Sequence, residues 1–241
     1  MLVPKWRSVL DLVTTVTMLL GSASIVALVA TRYFSMPVRT PHATVDVIPK
    51  DPISLDRATV RGNAAATIGV LEFADYQCPF CAQIERTAIQ PVVREYVEPG
   101  KIRLAYLELP LTQIHPLALN ASKTALCAGN QGKYWPVHDA LFGNHDKLDE
   151  THVRSLALAA SVDVAALSTC LKDDAVGKRV AADALMARTL GVSGTPTLFF
   201  GIIQADGRLK VTKRLHGMQP IDAIRNILNE MIKSTAPSST R

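Results

Sequence analysis

Aromatic residues make up only 5% of this 241-residue chain, and no run of basic residues is longer than two despite a net charge of +5. Binding to nucleic acid draws on a clustered basic stripe and on rings that stack against bases. Neither is present, so nucleic acid is not an expected partner. A second C-x-x-C is also missing. A closed zinc site commonly uses two such pairs, or one pair with two spaced histidines. Here the only pair is Cys78 and Cys81, and His138, His145 and His152 lie far along the chain. A metal is therefore not expected, and no internal repeat is visible.

Charge is absent altogether from Leu12 to Ala30, "LVTTVTMLLGSASIVALVA". Nineteen such residues rise about 28 Å as a helix, enough to cross the hydrocarbon core of a bilayer. Lys5 and Arg7 precede the run. Gly21-Ser22-Ala23 offers a signal-peptide cleavage site, but cutting there would leave "SIVALVA" on the mature end. The expected reading is an uncleaved anchor, the alternative a secreted protein released after cleavage. The expected organisation is an anchor or signal sequence over 1–34 and a tether over 35–62, broken by prolines. A folded domain follows over 63–233, with a helical insertion at about 114–190, and then a disordered tail over 234–241.

The folded part reads as α/β. "TIGVLEFA" (67–74) is apolar and too short for a globular helix, so it reads as a buried strand. The helix after Cys78 has Ile84, Ala88, Val92 and Tyr96 at four-residue spacing, with a kink expected at Pro91. "IRLAYLEL" (102–109) is a second strand, which makes a βαβ unit. Helices are expected over about 116–130, 134–142, 150–160, 164–172 with Asp163 as N-cap, and 174–190 stopped by Gly191. Strands return at 197–201 and 209–217, with a turn at Asp206-Gly207. An amphipathic helix over 221–232 closes the domain, and a short edge strand is expected near the end of "ISLDRATVRG".

"FADYQCPFCAQIE" carries the chemistry. Two cysteines three apart close a loop too small to constrain the unfolded chain much, so a structural crosslink is a weak reading. Cys78 falls where a strand enters a helix. Unpaired N–H groups and the helix dipole favour a thiolate there, and Cys81 lies one turn further on. Pro79 suits the first helical turn, where no N–H is needed. C-x-x-C near a βαβ unit is a redox pattern. Glu72 stands six residues before Cys78 and reads either as a strand-end acid or as a buried proton carrier. The proline of "GVSGTPTLFFG", Pro196, reads either as a turn or as a cis residue that offers the Thr195 backbone to a substrate. Cys127 and Cys170 fall on separate expected helices. They read as two buried thiols or, in an oxidising compartment, as a disulfide. His115, before Pro116, reads as a capping or packing residue.

Together "VLEFADYQ", "CPFC", "GVSGTPT" and the start of the helical block, "LPLTQIHPLALNASKTALCAGNQGKYWPVHDALF", resemble the DsbA-like thiol:disulfide oxidoreductases of the thioredoxin superfamily, over about 56–232. The resemblance implies a thioredoxin-like fold with an inserted helical domain. It implies Cys78 as nucleophile, Cys81 as buried resolving cysteine, Glu72 as buried acid and Pro196 as cis-proline after Thr195. Pro79 and Phe80 then face the substrate. The family works outside the cytoplasmic membrane on thiols of reduced exported proteins. It passes electrons to a membrane quinone reductase of the DsbB type and needs no cofactor. Two departures bear on the direction of electron flow. Phe80 stands where the family's namesake has a thiolate-stabilising histidine, and Thr195 is shared with reductase-like and isomerase-like relatives. A reductase or isomerase of the same fold is thus the second expectation, and a membrane-tethered chaperone holding copper or zinc on Cys78 and Cys81 the third.

Overall fold

The computed structural model describes residues 17–18 and 48–235. Residues 17 and 18 are helical. The rest of the apolar segment expected to span a membrane lies outside the described residues, as do 31–47 and 236–241. Among the described residues no helix is long and apolar enough to cross a membrane.

Five strands form one sheet in the order β1-β3-β2-β4-β5. They are β1 (Thr59–Arg61), β2 (Ile68–Ala74), β3 (Ile102–Glu108), β4 (Thr197–Ile203) and β5 (Leu209–His216). Only β2 and β3 run parallel, as a βαβ crossover requires, and the other pairs are antiparallel. Every residue of β2 is buried, because helices cover both faces of this central strand. The twofold alternation of β2 sends Ile68 and Val70 to one face and Leu71 and Phe73 to the other.

The first face packs on α1, a helical run over 79–97, and on α7 (Ile221–Thr235). Ile84, Ala88, Val92 and Tyr96 meet Ile224 and Leu228 there. The four-residue spacing along α1 exceeds the 3.6 of an α-helix and would drift off the face. Instead Pro79–Ile84 is α-helical, while Glu85–Ile89 and Val93–Val97 are π-helical, with Gln90–Val92 between them. The wider turns keep the stripe on the sheet. The expected kink at Pro91 is replaced by these two π segments, placed either side of the N–H that proline cannot supply.

The insertion runs through α2 (Ala118–Gly129), α3 (Tyr134–Gly143), α4 (Glu150–Ala159), α5 (Val164–Lys172) and α6 (Asp174–Thr189). Asp149, Asp163 and Asp173 cap α4, α5 and α6 by accepting backbone N–H groups. Gly191, at φ +65°, ends α6 in the left-handed conformation that a side chain would disfavour. Gly201 sits at a bulge against β5, where a Cβ would come 2.2 Å from the Lys210 carbonyl oxygen, so no larger residue fits.

The short edge strand expected near the end of "ISLDRATVRG" is β1, which pairs with β3. Further back in the stretch read as a tether over 35–62, Ile53 bridges Leu209. Buried Ile53 gives that stretch an apolar anchor its prolines conceal. The first two residues of the stretch read as a tail from 234 are helical, because α7 runs to Thr235, where the Ser234 and Thr235 hydroxyls donate to the Met231 carbonyl.

A disulfide joins Cys127 of α2 to Cys170 of α5, 43 residues apart. Closing a loop of that length constrains the unfolded chain. Replacing both cysteines by serine is expected to cost about 2–4 kcal/mol of stability. A denaturant midpoint unchanged in the double variant, measured without reductant, would refute this.

Candidate active site

Cys78 is the N-cap of α1, with extended backbone (φ −73°, ψ 120°), and Pro79 occupies the first helical position. The turn before it is held by the Cys78 N–H, which donates to the Asp75 carbonyl at 3.1 Å. The Cys78 sulfur lies 3.7 Å from the Thr195 carbonyl oxygen. The Thr195–Pro196 peptide bond is cis. Thus α1 and the loop ahead of β4, more than a hundred residues apart in sequence, meet at one sulfur. Pro196 is buried, whereas Phe80 on the tip of α1 is 58% exposed.

Both Cys78 and Cys81 are free thiols, and they differ sharply. Hydrogen bonding from the Cys81 thiol, helped by the Cys81 and Phe80 N–H groups and by Thr195, outweighs burial and brings the Cys78 pKa down to about 6. Burial pushes the Cys81 thiol well up, and the neighbouring Cys78 sulfur pushes it further. The Thr195 hydroxyl is buried and has no hydrogen-bond partner among the described residues, and it favours the thiolate of Cys78.

Glu72 is completely buried on the α1 face of β2. Its register partner on β3 is Tyr106, whose phenol lies within electrostatic reach of Glu72, Cys81 and Glu108. Across from it stands Glu85, four residues after Cys81 on the same helix and also buried. Neither carboxyl has a hydrogen-bond donor among the described residues. Two acceptor-only groups can satisfy each other only by holding a proton between them, and burial raises the pKa of both. Arg61 opposes this from β1. Glu85 also lines a cleft of about 480 Å³ with Gln83, Gln90, Asp139 and Phe142, and His138 Nε2 is 3.8 Å from its carboxyl.

A third buried glutamate, Glu108, ends β3. The Tyr134 hydroxyl donates to it at 2.7 Å, and burial still lifts its pKa to about 8. His115 does not cap α2, whose N-cap is Leu117 without a side-chain bond. Instead its Nδ1 meets Asp75 Oδ2 at 2.9 Å.

The residues read from sequence therefore gather at one end of the sheet: Cys78, Cys81, Pro79 and Phe80 on α1, Thr195 and Pro196 opposite, and Glu72 beneath. Cys127 and Cys170 lie apart in the helical insertion. Sequence reasoning passed over Glu85, Glu108, Tyr106 and Asp75. Glu85 carries a usable signal, being an acid one turn beyond Cys81 on a buried helix face. Tyr106 has none, because its closeness to Cys81 and Glu72 arises from strand register, and Glu108 has none, because its burial arises from the tertiary fold.

The thioredoxin family model matches residues 55–212. In sequence the chain is 36% identical over 179 residues to the Na(+)/H(+) antiporter NhaA 3 of Salinispora tropica, covering 74% of this chain and 25% of that protein. The chain spans about a quarter of the length of the curated relatives it matches. In structure it resembles α-DsbA1 of Wolbachia pipientis, with TM-score 0.68 and 20% identity over 76% of this chain and 94% of the other. A thioredoxin-like oxidoreductase from Silicibacter pomeroyi gives TM-score 0.60 and 28% identity over 74% and 94%.

Proposed function

This chain belongs to the thioredoxin family, in its DsbA-like form with inserted helices, and on that premise we propose that it is a thiol:disulfide oxidoreductase that forms disulfides in exported proteins. The observation that carries the reading is the contrast between two buried thiols: Cys78, 4% exposed beside the exposed Phe80, with its pKa brought down to about 6, and Cys81, fully buried, with its pKa pushed well up. In the oxidised enzyme a substrate thiolate attacks the Cys78 sulfur and Cys81 leaves. A second substrate thiolate then attacks the substrate sulfur of the mixed disulfide, and Cys78 leaves as thiolate. The substrate dithiol has lost two electrons and two protons, and Cys78 and Cys81 have gained the electrons. Thr195 and Pro196 line the place where the substrate chain lies along Cys78. The Glu72–Glu85 pair takes and returns the Cys81 proton, with the cleft at Glu85 as its exit. No cofactor enters.

Magnitudes favour this direction. At pH 7 a pKa near 6 rather than 9 raises the thiolate fraction about 90-fold, but the weaker base loses about 20-fold in intrinsic nucleophilicity. As an attacker Cys78 gains only about fourfold. As a leaving group it gains the full benefit of its low pKa, and leaving is the step that completes oxidation of a substrate. The same thiolate stabilises the reduced form by about 1.4 kcal/mol, or about 30 mV. That is far short of the roughly 150 mV separating thioredoxin from DsbA, consistent with Phe80 in place of histidine.

An oxidant of this kind keeps its disulfide only outside the reducing cytosol, and the Cys127–Cys170 disulfide supports the same side. The reading places the folded domain on the exoplasmic face, tethered by the apolar segment 12–30 or released from it. Its reduced form is reoxidised by a membrane quinone reductase of the DsbB type. The antiporter name belongs to proteins of which this chain spans a quarter, and it brings no transport into the reading.

The test is the equilibrium reduction potential of Cys78–Cys81 in glutathione buffers. The expected value lies above the roughly −270 mV of thioredoxin but short of the roughly −120 mV of DsbA. A value at or below that of thioredoxin would make the couple an electron donor and overturn the oxidative direction. Alongside it, the alkylation rate of Cys78 should rise with pH to a plateau with its midpoint near pH 6.

A further inference from the structure

Asp75 is the first residue after β2, and its side chain is completely buried. Its Oδ1 accepts the Gln77 N–H at 2.7 Å, and its Oδ2 accepts the Leu111 N–H at 2.7 Å and the His115 Nδ1–H at 2.9 Å. Its backbone reaches both cysteines, the carbonyl accepting the Cys78 N–H and the N–H favouring a thiolate on Cys81. On either side two more bonds join the same chain segments. Leu109 N–H donates to the Ala74 carbonyl at 3.0 Å, and Leu117 N–H donates to Gln77 Oε1 at 2.8 Å. The turn 75–78 and the loop 109–117 are thereby laced together from the sheet end to the start of α2. His115 supplies the one side-chain donor in that lacing. It reaches a carboxyl 40 residues away, while the α2 entrance is served by Gln77.

We propose that His115 is a positioning residue for exchange at Cys78: its Nδ1–H, given to Asp75 Oδ2, fixes the turn 75–78 against the loop 109–117 and so keeps the first N–H groups of α1 aligned on the Cys78 sulfur. The inference rests on the oxidoreductase reading and deepens it. A ring serving only to fill space would need no carboxyl partner. A residue acting directly on substrate would not turn its Nδ1 inward to a buried acid. Removing His115 leaves Oδ2 still bonded to Leu111 N–H, so the loss falls on the rigidity of the turn more than on burial of an unpaired group.

The experiment compares His115→Leu and His115→Asn in the full chain. Asparagine can place an N–H where Nδ1 stands, and leucine cannot. The readouts are thermal stability, the ultraviolet thiolate titration of Cys78, and the rate of oxidation of a dithiol peptide. The expected result is that His115→Leu stays folded, titrates Cys78 at higher pH and reacts about tenfold more slowly at pH 7. His115→Asn should restore both to within about twofold of the original protein. A folded His115→Leu with an unchanged titration and rate overturns the proposal. So does a His115→Asn that behaves like His115→Leu, since ring bulk would then be what matters. The unsubstituted protein gives an independent check. A slowly exchanging Nδ1 proton on His115 in nitrogen-15 NMR is expected, and its absence overturns the proposal whatever the variants do. If the original protein oxidises no dithiol at all, the oxidoreductase reading fails, while the NMR signal and the titration still report on His115.

Discussion

Cys78→Ser should abolish thiol exchange, whereas Cys81→Ser should allow the first exchange and block the next. The two cysteines are three residues apart, yet the structure gives them different environments. Cys78 caps α1, sits 3.7 Å from the Thr195 carbonyl oxygen and titrates near pH 6. Cys81 is completely buried, and its thiol is held protonated by that burial. Losing Cys78 removes the only sulfur of the pair that is a thiolate at neutral pH, so oxidation of a dithiol peptide should fall to the uncatalysed background, a loss of more than about a hundredfold. Losing Cys81 leaves that thiolate in place. Mixed with a peptide whose single cysteine is activated as a mixed disulfide, Cys81→Ser should accumulate a covalent adduct: the Cys78 thiolate bonds the peptide sulfur, the activating thiol leaves, and no second thiol within the protein can release Cys78. Intact mass without reductant reads this directly, as a gain of one peptide on Cys78. Adduct formation by Cys78→Ser, or a Cys81→Ser that turns over, would reverse the assignment. The lowered Cys78 pKa rests partly on the Cys81 thiol. Cys81→Ser should therefore keep Cys78 below its ordinary range, since a serine hydroxyl can still donate, while Cys81→Ala should raise it.

Glu108→Gln should stabilise the protein at alkaline pH and flatten the fall of stability with pH. Burial lifts the Glu108 pKa from 4.5 to about 8, and the Tyr134 hydroxyl only partly offsets it. A carboxyl whose pKa is raised by folding binds its proton more tightly in the native state. Its contribution is complete below the unfolded pKa and is lost as pH climbs from about 4.5 through about 8. The full span is worth up to about 5 kcal/mol, a large share of the stability of a domain. Glutamine keeps an oxygen for Tyr134 to donate to and carries no proton to lose. Asp183, lifted to about 6 by burial, adds to the slope of the original protein, and buried His138, whose pKa is lowered by desolvation, works against it at acid pH. The measurement is therefore a difference: urea unfolding of Glu108→Gln and of the original protein at pH 5 and pH 8.5. The gap should open toward the variant at the higher pH. A gap of the same size at both values would mean that Glu108 is ionised throughout.

Much of this architecture was legible in the residues. β2 announces itself as an apolar run bounded by turn formers. α5 starts at the residue after the Asp163 cap expected for it, and α6 stops before Gly191. The C-x-x-C at the strand-to-helix junction and the distant Thr-Pro pair likewise pointed to one chemistry. These are local signals: side-chain period, capping and turn chemistry act over a few residues and survive translation into structure unchanged.

What the chain alone determined is thus the order of elements and the place of Cys78 and Cys81 where a strand enters a helix. The tertiary structure decided how the acids are used. Glu72 and Glu85 face each other because the twofold alternation of β2 turns Glu72 toward α1 and the pitch of α1 turns Glu85 toward β2. Glu108 is driven to hold its proton by the closing of the helical insertion over the end of β3. His115 reaches Asp75 only once the loop after β3 folds back on the turn after β2. In each case the deciding quantity is solvation. Water weakens the hold of neighbours a few ångströms away on a carboxyl, and the same carboxyl without water is governed by them. No pattern along the chain records which side chains lose their water together.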